Sequence, residues 1–318
     1  MPQFPFSGIP YHQAPAYCFP LFEFVMYVLF ILCVRDAFKR GSQYVAYMIG
    51  GLAFGLLLEY IEVISNMGYT YGKFTVMFGH APLDIPLCIG VGWSIIMYTS
   101  RLFSDSLRLP WWACAAMDAL LAINIDLSMD TVAYRLHMWH WNWEGTGLNP
   151  LTAQWFGVPY GNFFGWLMVI FFYSYFSRLF EKVFAKKQKA IVLITVPLLA
   201  LMCSQALLYA MEIYIEQALY NTFGITALDR LLAFLFILFI LIIIGWRRKG
   251  KSTGASFVTW LVPVYFHIFF FTWLFLGSFY TENIWLVIAA CTNLIIGLII
   301  HTVALKNNKV PLQKCVAA

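Results

Sequence analysis

Long apolar runs, each ended by charged residues or by a Pro- or Gly-rich break, recur along the whole chain. They lie at 17–37, 44–68, 83–104, 109–131, 160–180, 189–216, 228–246, 256–279 and 284–305. Each comes close to the roughly 20 residues that a helix needs to cross a bilayer. The pattern predicts an all-α polytopic membrane bundle of about nine transmembrane helices, because only helices and closed barrels satisfy their backbone in lipid. Residues 1–16 carry four prolines and no Lys or Arg, so they lack the basic start of a secretory signal and read as a polar lead-in. Residues 17–318 read as a single transmembrane domain.

Composition agrees with the pattern. The chain has 318 residues, 62% hydrophobic and 11% charged, with a mean hydropathy of +0.75, which leaves no room for a separate soluble domain. Orientation follows from the basic residues. With alternating helices, 17 of the 20 Lys and Arg fall at one end of the bundle, and only Lys73, Arg135 and Arg230 fall at the other. The positive-inside rule then puts the N-terminus and residues 1–16 outside and the C-terminus in the cytoplasm, with a prokaryotic plasma membrane as the expected location. The net charge of +5 is thereby explained by topology, and nucleic acid is not an expected partner. The seven cysteines are scattered without CxxC spacing, so neither disulfides nor a thiolate metal site is expected. The terminal CVAA fits a prenylation box only by chance.

Carboxylates show the opposite asymmetry. Asp36, Asp105 and Glu181 lie at the cytoplasmic ends, and the other twelve lie within spans or toward the outer face. Ionisable groups in a bilayer cost a few kcal/mol each, so intramembrane acids are functional candidates. Glu59 and Glu62 are about 60° apart on one helix face, and Asp126 and Asp130 about 40° apart on another. Both pairs are expected at similar depth in the outer half, where they can face one cavity. Two carboxyls in such a site are not expected to ionise together, which supplies a general acid with a partner. The competing reading is helix glue, to a neighbouring helix or to Arg135. Asp118, about 80° around the helix from Asp126, reads as glue, and Glu212 and Glu216, four apart, either close a second wall of the cavity or end their helix, the second being favoured.

Other polar groups cluster nearby. His137 and His140 form an HxxH that, with His80 and Asp84, makes a weak candidate metal site. Trp139, Trp141 and Trp143 alternate, which suits either an interfacial belt or a pocket whose ring faces meet a long apolar molecule and a developing cation. Asn124 and Asn162 can orient water or tie helices. There is no GxSxG, P-loop, GxGxxG or HExxH, so no cofactor is expected.

The stretch from Gly55 to Trp166 resembles the carotenoid-biosynthesis membrane protein family. The resemblance rests on WFGVPYGNFFGW at 155–166, on DLSMD at 126–130 followed by WNW at 141–143, and on Glu59, GYTYGKF at 68–74 and the Pro82 and Pro86 pair. It implies a family-like core at about 44–180 with additional helices at about 189–305. It further implies hydration of a terminal double bond of an acyclic carotenoid, with a carotenoid or other long isoprenoid lipid as substrate. That chemistry needs a proton donor, a shielded tertiary cation and a positioned water. Asp126 or Asp130 is expected as the acid, with Glu59 or the other aspartate handling the water and Asn162 orienting it. Glu62, Tyr71, Trp141, Trp143 and Trp166 are expected to line the substrate pocket. The alternatives are a non-enzymatic carotenoid or lipid binder or assembly protein, and a transporter.

Overall fold

The computed structural model describes residues 15–65, 69–143 and 146–306. Among them, nine helices are long and apolar enough to cross a membrane. They are α1 (Cys18–Arg40), α2 (Ser42–Ile64), α3 (Leu87–Ser106), α4 (Trp111–Arg135), α5 (Tyr160–Val183), α6 (Lys189–Tyr209) with its continuation, α8 (Ala227–Trp246), α9 (Val258–Leu276) and α10 (Ile284–Lys306). The continuation runs through a π turn, Ala210–Ile215, into α7 (Glu216–Phe223). The chain is therefore an all-α polytopic bundle. Three of its helices start directly after a proline, α3 after Pro86, α4 after Pro110 and α5 after Pro159. Proline suits that position because its fixed φ leads into the first turn, where a missing N–H costs nothing.

Burial orders the bundle. Most of α3 is enclosed (89% of its apolar window) and only 11% of α8 is, so α3 is the hub and α8 faces lipid. Phe236, Ile237, Phe239 and Ile243 of α8 are accordingly exposed. At the basic end, ion pairs join the central helices. Arg178 of α5 meets Asp118 of α4 at 2.7 Å and Asp105 of α3 at 3.0 Å, and Arg101 meets Glu181 at 2.6 Å. Asp118 also accepts from Ser174 at 2.5 Å. The last two helices dock through amides, with Asn124 of α4 3.1 Å from His267 of α9 and 3.2 Å from Asn293 of α10.

Two short ribbons cap the opposite end. β1 (Tyr69–Tyr71) pairs antiparallel with β4 (Trp139–Trp141), and β2 (Met77–Phe78) with β3 (Ile85–Pro86). The register sets Tyr69 against Trp141, Thr70 against His140 and Tyr71 against Trp139. The alternation of the tryptophans thus belongs in part to a strand, whose side chains alternate between faces. Glu23 of α1 pins the segment after β1 by accepting from the Thr75 and Val76 amides at 2.8 and 3.0 Å.

Two helix ends correct the spans read from hydropathy. Helix α4 runs to Arg135, so Asp126 and Asp130 lie inside it, with more than a turn beyond Asp130. Nor do Glu212 and Glu216 end their helix: the π turn carries it on to Phe223.

Candidate functional site

Glu59 lies one turn after Gly55 on α2. A Cβ at Gly55 would come within 2.6 Å of Trp93 Cβ, so the glycine lets α3 approach and brings the indole along the same face. Trp93 Nε1 donates to Glu59 Oε1 at 2.6 Å. Tyr71 donates to Oε2 at 2.6 Å, and Tyr69 donates to the same oxygen. Burial, followed by the adjacent Glu59 carboxylate, holds both phenols well above the ordinary range, so both remain donors. Three neutral donors, two phenols and an indole, converge on Glu59.

The aspartates are assembled by a different device. Gly157 has φ +95°, and a Cβ there would lie 2.6 Å from the Pro150 carbonyl and 2.8 Å from the Tyr134 ring. Only glycine makes that turn cheaply. The chain then passes Pro159 into α5, and Asn162 falls in its first turn. From there the Asn162 amide donates to Asp130 Oδ2 at 2.6 Å and to Asp126 Oδ2 at 3.2 Å. The two carboxyls also lie within hydrogen-bonding reach of each other. Arg135 takes no part. It pairs with Glu282 at 2.9 Å and donates to the Thr131, Leu151 and Phe156 carbonyls.

These groups meet at an inner chamber of about 60 Å³ and an adjoining outer cavity of about 270 Å³. Glu59, Tyr69, Trp93, Trp141, Asn162 and Trp166 line both, whereas Tyr71, Asp130 and Trp139 line the chamber alone. Asp126 is fully buried and lines neither space, so it sits back from the chamber relative to Asp130. Trp93 and Trp166 face each other across α3 and α5, with ring centroids 4.1 Å apart. Among the described residues, no Lys or Arg lines either space. Side chains on the cavity face of the β1–β4 ribbon roof the chamber.

The structure separates several residues that the sequence grouped. Glu62 does not line the chamber but shares the outer cavity with Glu59, within hydrogen-bonding reach of Glu212. Glu212 and Glu216 are part of that cavity wall, and Glu216 pairs with Arg230 at 2.5 Å. Trp143 is not a pocket residue. Its indole donates to the Gly157 carbonyl at 3.0 Å and so braces the turn that places Asn162. Trp155 similarly donates to the Leu127 carbonyl at 2.9 Å.

His137 occupies the left-handed position after α4 (φ +60°), where the amides of His137 and Met138 return to the Tyr134 and Ala133 carbonyls. This is a Schellman helix end, a backbone role. Its Nδ1 lies 2.7 Å from His140 Nε2, and burial lowers both imidazoles, His140 to about 4, so the pair is neutral. Among the described residues no third ligand completes a metal site, and His80, on the other ribbon's turn, is exposed.

Tyr69 and Trp93 are pocket residues that the sequence does not single out, and Trp139 enters there only as one of the alternating tryptophans that suit a belt or a pocket. The Tyr-Thr-Tyr and Trp-His-Trp alternation carries a strand signal for the first and third, but nothing local marks Trp93.

No curated protein and no solved structure matches the chain. A family model described as carotenoid biosynthesis protein matches residues 19–229, a wider stretch than the 44–180 core that carries the visible resemblance. It takes in α1 through α7 and both carboxylate constellations. With well over half its length inside that match, this helical membrane protein belongs to the carotenoid biosynthesis protein family.

Proposed function

We propose that the protein is a membrane-embedded hydratase that adds water across a terminal carbon–carbon double bond of an acyclic carotenoid end. The observation that carries this reading is the arrangement of Asp130, backed by Asp126 and bonded through Asn162, beside Glu59 in an aromatic chamber lined by no Lys or Arg. Membership of a carotenoid biosynthesis family supports an isoprenoid lipid as substrate.

In this mechanism the Asp126–Asp130 pair shares one proton, because two carboxyls so close in a dry site do not both ionise. Asp130, on the chamber side, gives that proton to the less substituted alkene carbon. The π electrons form the new C–H bond and leave a tertiary cation on the neighbouring carbon. The Trp93, Trp139, Trp141 and Trp166 rings and the anionic carboxylates stabilise the cation, and the absence of Lys and Arg from the lining removes competing positive charge. Water attacks the cation, its oxygen forming the C–O bond, and Glu59 accepts the proton the water loses. That proton returns to the aspartate pair, so the net change is alkene plus water to tertiary alcohol. The residues named require no cofactor for this sequence. The positive-inside count puts the chamber toward the outer leaflet half.

The test is expression in a host that makes acyclic carotenoids, with the pigments analysed by mass spectrometry. A product heavier by one water, absent with Asp130→Asn at equal protein level, supports the reading. Unchanged pigments across several acyclic end groups overturn it.

A further inference from the structure

The chamber is amphipathic along its length. Its roof and one side carry Glu59, Asp130, Asn162 and the aromatic donors, and the rest of its wall is apolar and includes Phe22 and Met26 of α1, Cys88 and Ile96 of α3, Met129 of α4 and Phe266 of α9. These six are buried in the bundle. Phe266 sits midway along α9, in a helix that begins after the 19–229 match has ended. It is 2% exposed and meets Phe22 edge-on at 6.3 Å, while Phe269 and Phe270 hold Phe22 from the same helix at 5.2 and 5.7 Å. Phe266 lines the chamber but not the outer cavity, so the wall away from the shared residues is completed by an aromatic cluster from α9.

Size gives that wall a consequence. A space of about 60 Å³ is small, so it suits the end of a hydrocarbon chain and not a whole polyene. A long isoprenoid can enter only end-on, with the rest of its chain lying in the outer cavity and beyond. There, Gly161 and Gly165 open the α5 wall, since a Cβ at either would meet nothing within 4 Å.

Building on the hydratase reading, we propose that Phe266 is a length stop. It limits how far an isoprenoid end passes the carboxylates, so that the terminal double bond, and no internal one, rests beside Asp130 and Glu59. The fit is to an acyclic end carrying two methyl groups on its last carbon. Gly92 of α3 lines the same chamber, and a Cβ there would lie 3.1 Å from Met26 Cε, so a larger residue at 92 fills the space that a smaller one at 266 enlarges.

The test uses the full chain in two measurements. In cells making an acyclic C40 polyene, wild type should add water at terminal positions. Phe266→Ala should raise the ratio of internal to terminal adducts at least tenfold, Phe266→Leu should act between the two, and Gly92→Val should lower terminal hydration at least fivefold, all at matched levels of monodisperse protein. In lipid nanodiscs, quenching of tryptophan emission should show the wild type preferring the acyclic polyene over a polyene with two cyclised ends, and Phe266→Ala should erase that preference. Leucine at 266 keeps most of the packing, so the series stays informative if the alanine variant misfolds. Hydration whose position and end-group preference ignore residues 266 and 92 overturns the stop. Binding preference that follows residue 266 with no hydration in any variant overturns the hydratase reading and leaves the stop standing.

Discussion

Asn162 holds Asp130 at 2.6 Å from the first turn of α5, and the same amide reaches Asp126 at 3.2 Å. One neutral side chain therefore orients two acids of a neighbouring helix, and no cation is spent on them. The acids are not equivalent, because Asp130 faces the chamber and Asp126 lies behind it.

Asp130→Asn should reduce product formation by about 10²–10⁴-fold, the usual range for a lost general acid. Asp126→Asn should cost less, because the chamber-facing carboxyl remains. Both substitutions keep the shape and an oxygen for Asn162, so protein levels and melting temperature should stay close to wild type. The check is pigment analysis alongside immunoblotting and a thermal melt in detergent. Equal losses in the two variants would argue against the front-and-back arrangement.

Asp118→Ala should behave in the opposite way. It removes the fully buried partner of the Arg178 guanidinium and leaves Asp105 as its remaining carboxylate, so the cost should approach the lower end of the about 3–5 kcal/mol for breaking a buried pair. The outcome expected is a sharply lower melting temperature and poor accumulation. Whatever folds should retain its product profile, since Asp118 lies outside both cavities.

Acid should loosen the roof. His140 is held neutral, its value lowered by burial, and then by His137, from 6.5 to about 4. A depressed folded value means the unfolded chain binds more protons between those limits, so the contribution is complete above pH 6.5 and is lost as pH falls toward 4. Its size is on the order of 3 kcal/mol for a buried group. Melting curves between pH 4 and 7 should show this decline, and His140→Gln should flatten it.

Gly157→Ala should destabilise the fold by about 1–3 kcal/mol, since the positive φ suits no side chain and the new Cβ meets the Pro150 carbonyl. Because the turn aims Asn162, folded protein should also lose activity. Activity unchanged in the folded fraction would show that the turn does not set the amide's position.

How much of this was legible in the chain depends on the range of the interaction involved. Apolar runs longer than a bilayer is thick predict helices whatever surrounds them, because an unpaired backbone is too costly in lipid, and so the bundle was readable from local pattern alone. The acids stood out for a related reason: carboxylates are expensive there, so each one signals a partner or a task. Helical phase was sufficient to pair Asp126 with Asp130. It likewise put Glu59 and Glu62 on one face, and both line the outer cavity, but it could not show that Glu59 alone reaches the chamber as well.

The amino-acid sequence by itself determined the spans, the charge asymmetry of the two ends, the family and the set of unusual polar residues, all of which follow from composition and short-range periodicity. Only the tertiary structure decided which of those residues share a space. Strand pairing between Tyr69–Tyr71 and Trp139–Trp141 joins segments some 70 residues apart and roofs the chamber. Packing around Gly55 delivers Trp93 to Glu59, and α9, far along the chain, closes the wall with Phe266. Such contacts depend on how side-chain shapes interlock across helices, and no periodicity in a single segment records that.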